Sequence, residues 1–261
     1  MKKTVLIEEM PWQDFARAIA LDDTIIIPVG STEEHGPQSP LGTDFFIARA
    51  LARAIGEKSG AMVAPAIPIG NAEALLDFPG TISIDPAILG SLVYGICENF
   101  IRHGAGHFFF VNGHGGNTMA LRHAASDLFA KYGVFISSSE WWVLMPKISR
   151  FNSHDHGGKF ETSMMMAIDE SLVDLTRADT KQIKKLTEGI SFDYGFYYRG
   201  ANITLNIPTP VITPNGNFGD PSEEAEKSLG LGMFEAYTDY CADLVKEIRS
   251  VPVRPVQGGI N

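Results

Sequence analysis

The stretch from Thr24 to Phe46 constrains the fold of this chain more than any other. It begins with an apolar, β-branched run, Thr24 to Val29, and continues through a loop rich in glycine and proline that carries Glu33, His35 and Asp44. A buried strand that delivers polar side chains at its carboxyl end is the usual way in which an open α/β sheet forms a site. In an extended loop, Glu33 and His35 point the same way because one residue separates them. Carboxylates combined with an imidazole suit Zn, Mn, Fe or Co. The competing interpretation of this loop is a solvated acidic segment with an incidental histidine.

The composition favours one ordinary globular domain. With 261 residues, of which 44% are hydrophobic and 20% charged, the chain is long enough for a single α/β domain over residues 1–261. A formal net charge of −10 argues against nucleic acid and anionic membranes as partners. The two cysteines, Cys97 and Cys241, both fall in helical patterns, which favours a reducing cytoplasm over a disulfide framework. The N-terminal residues do not resemble a signal peptide or a membrane span.

Strand and helix patterns alternate along the chain. Apolar runs typical of strands occur at residues 25–29, 107–111 and 134–138, and residues 62–69 contain a further apolar run that prolines break. Helical periodicity occurs at 11–20, 45–55, 85–102, 118–132 and 160–168. Gly56 and Gly133 are predicted to end two of these helices. Asp220-Pro221 is predicted to open the last helix, with Glu223 completing a capping interaction, and residues 204–214 are expected to be extended. The alternation predicts a mostly parallel sheet with helices on both faces.

A further candidate site residue, His114, follows the strand predicted at 107–111. It lies in the sequence NGHGGN (residues 112–117), where glycines would allow the backbone to come close to a ligand. Because adjacent parallel strands end at the same edge of a sheet, we expect His114 to meet Glu33 and His35 at the switch point of the sheet. A histidine that merely fills a turn is the alternative.

A third group of ionisable residues lies in the sequence HDHGGKFETS, between His154 and Ser163. Glu161 begins a predicted helix, a position where the helix dipole favours a carboxylate whatever its function. His156 precedes two glycines and has no obvious structural role. Because a histidine near a metal-bound water can transfer protons at neutral pH, His156 is a candidate general acid or base.

Together these segments offer five candidate metal ligands, namely Glu33, His35, Asp44, His114 and Glu161. That number is too large for one tetrahedral zinc with an open position. It suits two metals about 3.5–4 Å apart that share a carboxylate and a water, and Asp44 is the candidate for the shared carboxylate. Such a pair lowers the pKa of the bound water and polarises a carbonyl at the same time.

Five stretches of the chain resemble sequences of the creatininase (creatinine amidohydrolase) family. They are PVGSTEEHGPQSPLGTD (28–44), FPGT (78–81), NGHGGN (112–117), HGGKFETS (156–163) and FGDPSEEAEKSLG (218–230), in family order. The resemblance implies a three-layer α/β/α sandwich with a mostly parallel central sheet. It also implies two divalent metal ions, of Zn, Mn or Fe, and a homo-oligomer, often a hexamer.

The resemblance implies roles for individual residues as well. Glu33, Asp44 and His114 would hold one metal. His35 would hold the other, with Asp44 as the bridge between them. His156 would act as general acid or base near the water.

The chain departs from creatininase itself at two places. The histidine loop of that enzyme reads NGHYEN and its glutamate is a metal ligand, whereas Gly115 and Gly116 supply no side chain here. Glu161 is the candidate to replace that ligand, with a catalytic as well as a metal-binding role. Creatininase also encloses its substrate with a Trp-Asp pair, where this chain has Asn152 and Ser153. Creatinine is therefore not the expected substrate.

The leading hypothesis is a metal-dependent amidohydrolase in which metal-bound hydroxide attacks a carbonyl and cleaves the C–N bond of a small cyclic amide or formamide. The alternative is hydrolytic C–C ring opening of a cyclic diketone sugar, a keto-inosose, in cyclitol breakdown. A polar and aromatic stretch could hold such a ring, or could equally be a surface loop or subunit contact: Tyr197, Tyr198, Arg199, Asn202 and Asn206. A third hypothesis is a non-catalytic metal- or ligand-binding protein on the same fold, against which stands the presence of every proposed ligand.

Overall fold

The centre of the fold is a parallel sheet of four strands. The computed structural model describes residues 4–151, 155–179, 182–193 and 195–253. In this part of the chain the sheet consists of β1 (Thr24–Val29), β2 (Met62–Val63), β3 (His107–Asn112) and β4 (Phe135–Glu140), in the spatial order β2-β1-β3-β4. β1 and β3 are buried along their whole length, as strands covered on both faces should be.

Helices flank this sheet, and a small antiparallel sheet follows later in the chain. The helices are α1 (Trp12–Ile19), α2 (Thr43–Ser59), α3 (Pro86–Arg102), α4 (Thr118–Tyr132), α5 (Trp141–Ile148), α6 (Lys159–Asp169), α7 (Thr209–Ile212) and α8 (Lys227–Ile248). The strands of the small sheet are β5 (Ile190–Phe192), β6 (Phe196–Tyr198) and β7 (Ala201–Ile203).

Alternating side chains of the central strands enter two hydrophobic cores. Ile26 and Phe109 pack in one core with α2, α5, α6 and α8, while Ile25 and Phe108 pack in the other with α1, α3 and α4. Because successive residues of a strand point to opposite faces, the two cores lie on opposite sides of the sheet. The predicted α/β/α arrangement around a parallel sheet is thereby confirmed.

The strand order creates a switch point between β1 and β3. β2 pairs with one side of β1 and β3 with the other. Val29 and Asn112, the last residues of β1 and β3, are direct neighbours in the register. The loops that follow the two strands therefore start side by side, at the place where open α/β sheets bind ligands.

The prediction that Gly56 ends the second helix is wrong. α2 continues to Ser59, and Gly60 ends it with a backbone φ of 83°. A Cβ atom at position 56 would lie 2.5 Å from Cγ2 of Val63, so the glycine allows α2 to pack closely on β2. A glycine needed for packing thus resembles a helix stop when only the sequence is read.

The prediction that Asp220-Pro221 opens the last helix, capped by Glu223, is also wrong. A short 3₁₀ turn occupies residues 222–224, and α8 begins only at Lys227, with no side-chain cap. The Asp220 carbonyl accepts the backbone N–H of Lys159 at 3.0 Å. The segment is therefore held against the start of α6 and does not begin a helix of its own.

Some elements have no counterpart in the sequence-based prediction. Residues 204–214, expected to be extended, contain the one-turn helix α7. α5 begins with two tryptophans and contains Pro146, which weaken its helical pattern, but Trp141 is fully buried and packing decides the conformation. Asn152 and Ser153 lie outside the described residues. Within the described residues, no helix has both the length and the apolar character needed to cross a bilayer.

We expect Gly230→Ala to destabilise the protein, because Gly230 lies where α8 crosses α6. A Cβ atom there would lie 1.8 Å from the carbonyl oxygen of Ser163. Moving the helices apart should lower the free energy of unfolding by about 1–3 kcal/mol. Gly232→Ala is the matched control, since the nearest atom to its Cβ is 3.4 Å away and alanine favours the helix. Urea denaturation compares the two variants, and equal midpoints would contradict the close approach.

Candidate metal centre

The structure brings the five proposed ligands together at the switch point of the sheet. Glu33 and His35 lie on the loop after β1, and Asp44 is the second residue of α2. His114 follows β3, and Glu161 lies in the first turn of α6. Four of the five side chains are almost fully buried and His114 is partly buried.

Asp44 lies at the centre of this cluster. Its Oδ1 is 3.0 Å from His35 Nε2, and its Oδ2 is 3.2 Å from His114 Nδ1. Glu33 Oε1 is 3.0 Å from His114 Nδ1, and Glu161 Oε2 is 3.5 Å from His35 Nε2. The residues form two ligand groups that share Asp44. One group contains Glu33 and His114, and the other contains His35 and Glu161. Within each group the ligand atoms lie within 4.8 Å of one another.

Backbone carbonyls fix which nitrogen of each histidine faces the carboxylates. His35 Nδ1 is 3.1 Å from the Glu33 carbonyl oxygen, and His114 Nε2 is 2.8 Å from the Asn71 carbonyl oxygen. A carbonyl only accepts hydrogen bonds, so both of these nitrogens carry hydrogen. In the neutral ring the other nitrogen carries a lone pair, which points at a carboxylate. Histidines that ligate metals are oriented in this way, with the second nitrogen donating to a carbonyl or carboxylate.

The carboxylates of the cluster lack enough donors of their own. Glu33 Oε1 and Asp44 Oδ2 are buried and accept no hydrogen bond. Among the described residues, no lysine or arginine forms a salt bridge with Glu33, Asp44 or Glu161. Buried negative charge needs a positive partner, which the nearby histidine rings supply when they are protonated and which a bound metal cation would supply in their place. The donor set of imidazole nitrogens and carboxylate oxygens fits Zn, Mn or Fe.

The carboxylates of the cluster also raise the pKa values of His35 and His114. Burial opposes the charged form of His35, but Asp44 and Glu161 hold the pKa of this histidine well above its usual range. His114 behaves alike, since Glu33 and Asp44 raise its pKa against burial. Without metal, protons on these rings supply positive charge, and a metal would have to displace them.

His156 lies beside the cluster and is held by a residue that the sequence analysis did not identify. Its Nε2 is 2.9 Å from Glu34 Oε1, and its ring stacks on Phe218 with centroids 4.5 Å apart. The ring centroid of His35 is 4.7 Å away. Glu34 follows Glu33 directly, so in an extended loop its side chain points away from the ligands and toward His156. That alternation was the sequence signal that could have revealed it.

Gln38 links the loop after β1 to the segment before α6, and Asp155 holds the start of α6. Gln38 Nε2 lies 3.1 Å from the His35 carbonyl and 2.7 Å from the Gly157 carbonyl. Asp155 Oδ2 accepts the backbone N–H of Glu161 at 3.0 Å, which caps the start of α6. Burial, together with the nearby charge of Glu161, raises the pKa of Asp155 to about 8. The Glu161 carboxylate is thus not needed as the cap, although it accepts the Gly157 N–H at 2.8 Å.

Gly116, the second glycine after His114, has a different use from the expected one. A Cβ atom at Gly116 would lie 1.9 Å from the carbonyl oxygen of Asn71. This glycine therefore leaves room for the carbonyl that orients His114, rather than for a ligand. A cavity of about 620 Å³ starts at the same place, because Asn71 and Phe218 form part of its wall.

Comparisons with known proteins agree with this architecture. A sequence profile described as "Creatininase: Creatinine amidohydrolase" matches residues 8–245. The creatinine amidohydrolase of Pseudomonas putida is 33% identical over 199 residues, covering 68% of this chain and 76% of that protein. A mycofactocin precursor peptide peptidase of Mycolicibacterium smegmatis is 32% identical over 231 residues, covering 85% of this chain and 84% of that protein. A 3-dehydro-scyllo-inosose hydrolase of Thermotoga maritima is 29% identical over 167 residues, covering 62% of this chain and 52% of that protein.

Solved structures show the same fold. One described as "Creatininase Mn" superimposes with a TM-score of 0.77 and 25% identity, covering 95% of this chain and all of that chain. A mutant creatininase described as "Zn-Zn type" gives the same TM-score, identity and coverage. The names of these two proteins mention manganese and zinc, two of the metals that suit the donor set of the cluster.

Proposed function

The chain belongs to the creatininase (creatinine amidohydrolase) family of hydrolases, and from this premise we propose that it is a dinuclear metal-dependent amidohydrolase. Its substrate is a small cyclic amide or formamide other than creatinine. Hydrolysis breaks the C–N bond, joins the oxygen of water to the carbonyl carbon and gives the released nitrogen a proton. We further propose that the chain acts as one domain in a cytoplasmic homo-oligomer, which light scattering after size exclusion would test.

The orientation of the two histidines around Asp44 is the observation that carries this proposal. Each ring is held by a backbone carbonyl and presents its other nitrogen to a carboxylate oxygen of Asp44. Glu33 and His114 would hold one metal and His35 and Glu161 the other, with Asp44 shared between them. Divalent metals bound there would make a water molecule more acidic and polarise the substrate carbonyl.

His156 and Glu34 would move the protons of the reaction. The Glu34 carboxylate accepts from Nε2 of His156, which leaves Nδ1 as the nitrogen that exchanges protons. From this position the ring would take a proton from the attacking water and deliver it to the leaving nitrogen. Phe218 stacks on the ring and limits its rotation. Glu161 would assist as a second carboxylate at the same side of the cluster.

Ring opening of a keto-inosose by C–C cleavage is the second candidate. The similarity to the inosose hydrolase of Thermotoga maritima favours it. Of the stretch suggested to hold a polyhydroxylated ring, Asn206 lines the cavity next to the cluster, whereas Tyr197, Tyr198, Arg199 and Asn202 are not among its lining residues. The contacts of the described residues therefore support the amide more than the sugar.

Metal analysis combined with substrate assays tests both candidates. The purified protein is reconstituted with Zn or Mn, its metal content is measured, and hydrolysis of creatinine, cyclic amides, formamides and keto-inositols is followed with and without chelator. About two metals per chain and chelator-sensitive turnover of an amide would support the proposal. Turnover of a keto-inositol alone would favour C–C cleavage, and failure to bind any metal would overturn both.

We expect Glu34→Gln to lower kcat about 10- to 100-fold, because the charge that orients and stabilises the His156 ring is lost. Metal content and KM should change little, since Glu34 is not a proposed ligand. Glu57→Gln, an exposed glutamate paired with Arg53 on α2, is the control and should leave kcat unaltered. Steady-state kinetics on metal-loaded protein decides the matter, and an unchanged kcat in Glu34→Gln would remove this residue from the mechanism.

A further inference from the structure

A cavity beside the candidate metal centre has the size and the lining of a binding pocket for an apolar group. Its volume is about 620 Å³, within the range of roughly 300–1,000 Å³ common for ligand pockets. It borders the centre at Asn71, whose carbonyl holds His114, and at Phe218, which stacks on His156. A molecule bound in this cavity would therefore lie next to the residues that orient His114 and His156.

The walls of the cavity are mainly apolar. Its lining residues include Phe192, Phe196, Phe218, Ile207 and Ile212. The rings of Phe192 and Phe218 meet edge to face, with centroids 5.5 Å apart, which is a favourable geometry for aromatic pairs and for an additional ring beside them. The small sheet of β5 and β6 supplies two of these phenylalanines, so it forms a wall of the site.

Among the described residues that line this cavity, Glu73 is the only one with a charged side chain, and none is lysine or arginine. A carboxylate or phosphate on the substrate would find no positive partner among these described residues, and Glu73 would repel it. Polyhydroxylated rings would likewise lose hydrogen bonds to water that the phenylalanines cannot replace.

Resting on the function proposed above, we propose that the substrate is a neutral amide with an aromatic or bulky apolar group, which binds in this cavity beside the pair of rings formed by Phe192 and Phe218. The apolar group contributes binding energy away from the reacting carbonyl. Specificity then lies in the wall formed by β5 and β6, while the chemistry lies at the cluster.

Matched pairs of amides test this inference on the metal-loaded full chain. N-benzylformamide is compared with formamide, and phenylacetamide with acetamide, so that the ring lies on either side of the C–N bond. We expect kcat/KM to be about 10- to 100-fold higher for the aromatic member of at least one pair. The carboxylated analogue 4-(formamidomethyl)benzoate should react more slowly than N-benzylformamide. Equal rates within both pairs would overturn the inference while leaving the amidohydrolase intact.

Substitutions at the wall provide the second arm. Phe192→Ala should lower kcat/KM for the preferred aromatic amide about 10-fold or more and leave its small partner unchanged, with Phe192→Leu in between. Phe129→Ala, the same truncation on an exposed part of α4, should alter neither. Equal losses for both members of a pair would show a merely structural role and contradict the inference.

Direct binding keeps the inference separate from turnover. Calorimetry with N-benzylformamide should show saturable binding to the metal-loaded protein that weakens about 10-fold in Phe192→Ala. If no amide is hydrolysed, the proposed function fails, and this binding result alone decides whether the cavity prefers apolar rings. Absence of saturable binding in the unaltered protein would overturn the inference.

Discussion

Asp44→Asn is expected to remove most of the bound metal and to lower kcat/KM by at least about 10³-fold. The change keeps the shape of the side chain but removes the charge that lies between His35 Nε2 and His114 Nδ1. Several kilocalories per mole of stabilisation depend on metals at such a site, and about 4 kcal/mol corresponds to that factor in rate. Elemental analysis after dialysis and steady-state kinetics with a responsive amide measure the two effects.

A second carboxylate serves as the control for this substitution. Asp85 caps α3 by accepting the backbone N–H of Ala87 at 2.7 Å, and asparagine is an equally good cap. Asp85→Asn should therefore keep metal content and turnover. Added metal should also raise the Tm of the unaltered protein but not that of Asp44→Asn, because only the former binds it in the folded state. Full metal content with full turnover in Asp44→Asn would disprove the shared carboxylate.

His156→Asn is expected to lower kcat by about 10²- to 10⁴-fold while the metals stay bound. Asparagine can still donate to Glu34, so the loop keeps its hydrogen bond, but the group that exchanges protons is gone. His123→Asn, on the exposed side of α4, is the matched control and should have no effect. Kinetics and metal content are measured on the same preparations.

The metal content of His156→Asn also distinguishes two roles. A nitrogen of His156 lies within 4.8 Å of ligand atoms of Glu33 and His35, close enough for the ring to bind a metal itself. A parallel loss of metal and turnover would make His156 a ligand, and proton transfer would then need another group. Retained metal with lost turnover supports the proton carrier.

Local patterns in the sequence carried much of the fold. Apolar runs placed β1 and β3, helical periodicity placed α3 within the range 85–102, and Gly133 marked a helix end that the structure confirms. Such features depend on neighbouring residues, so they can be read without the tertiary structure. Gly56 and Asp220-Pro221 misled for the opposite reason, since their contacts with Val63 and with Lys159 arise only when different elements pack together.

The candidate site divides in the same way. Glu33, His35 and Asp44 follow from one loop, and the parallel sheet makes it reasonable to place His114 beside them. The partners Glu34 and His156 are 122 residues apart in the chain, and their contact has no local signature except the alternation of the loop. The cavity could not be predicted from the sequence either, because part of its wall comes from the small antiparallel sheet, and no periodicity in the sequence indicated that sheet.

Asp44 and Glu161 come from helices that are distant in sequence and meet through His35. A metal held by both would act as a reversible cross-link that closes a loop of roughly 120 residues, a length at which cross-links strongly restrict the unfolded chain. Since the unfolded chain holds no preformed site, the free energy of metal binding would become free energy of folding. Scarcity of metal in the cell would then reduce the amount of folded protein, and its lifetime against proteolysis, as well as the turnover of each molecule.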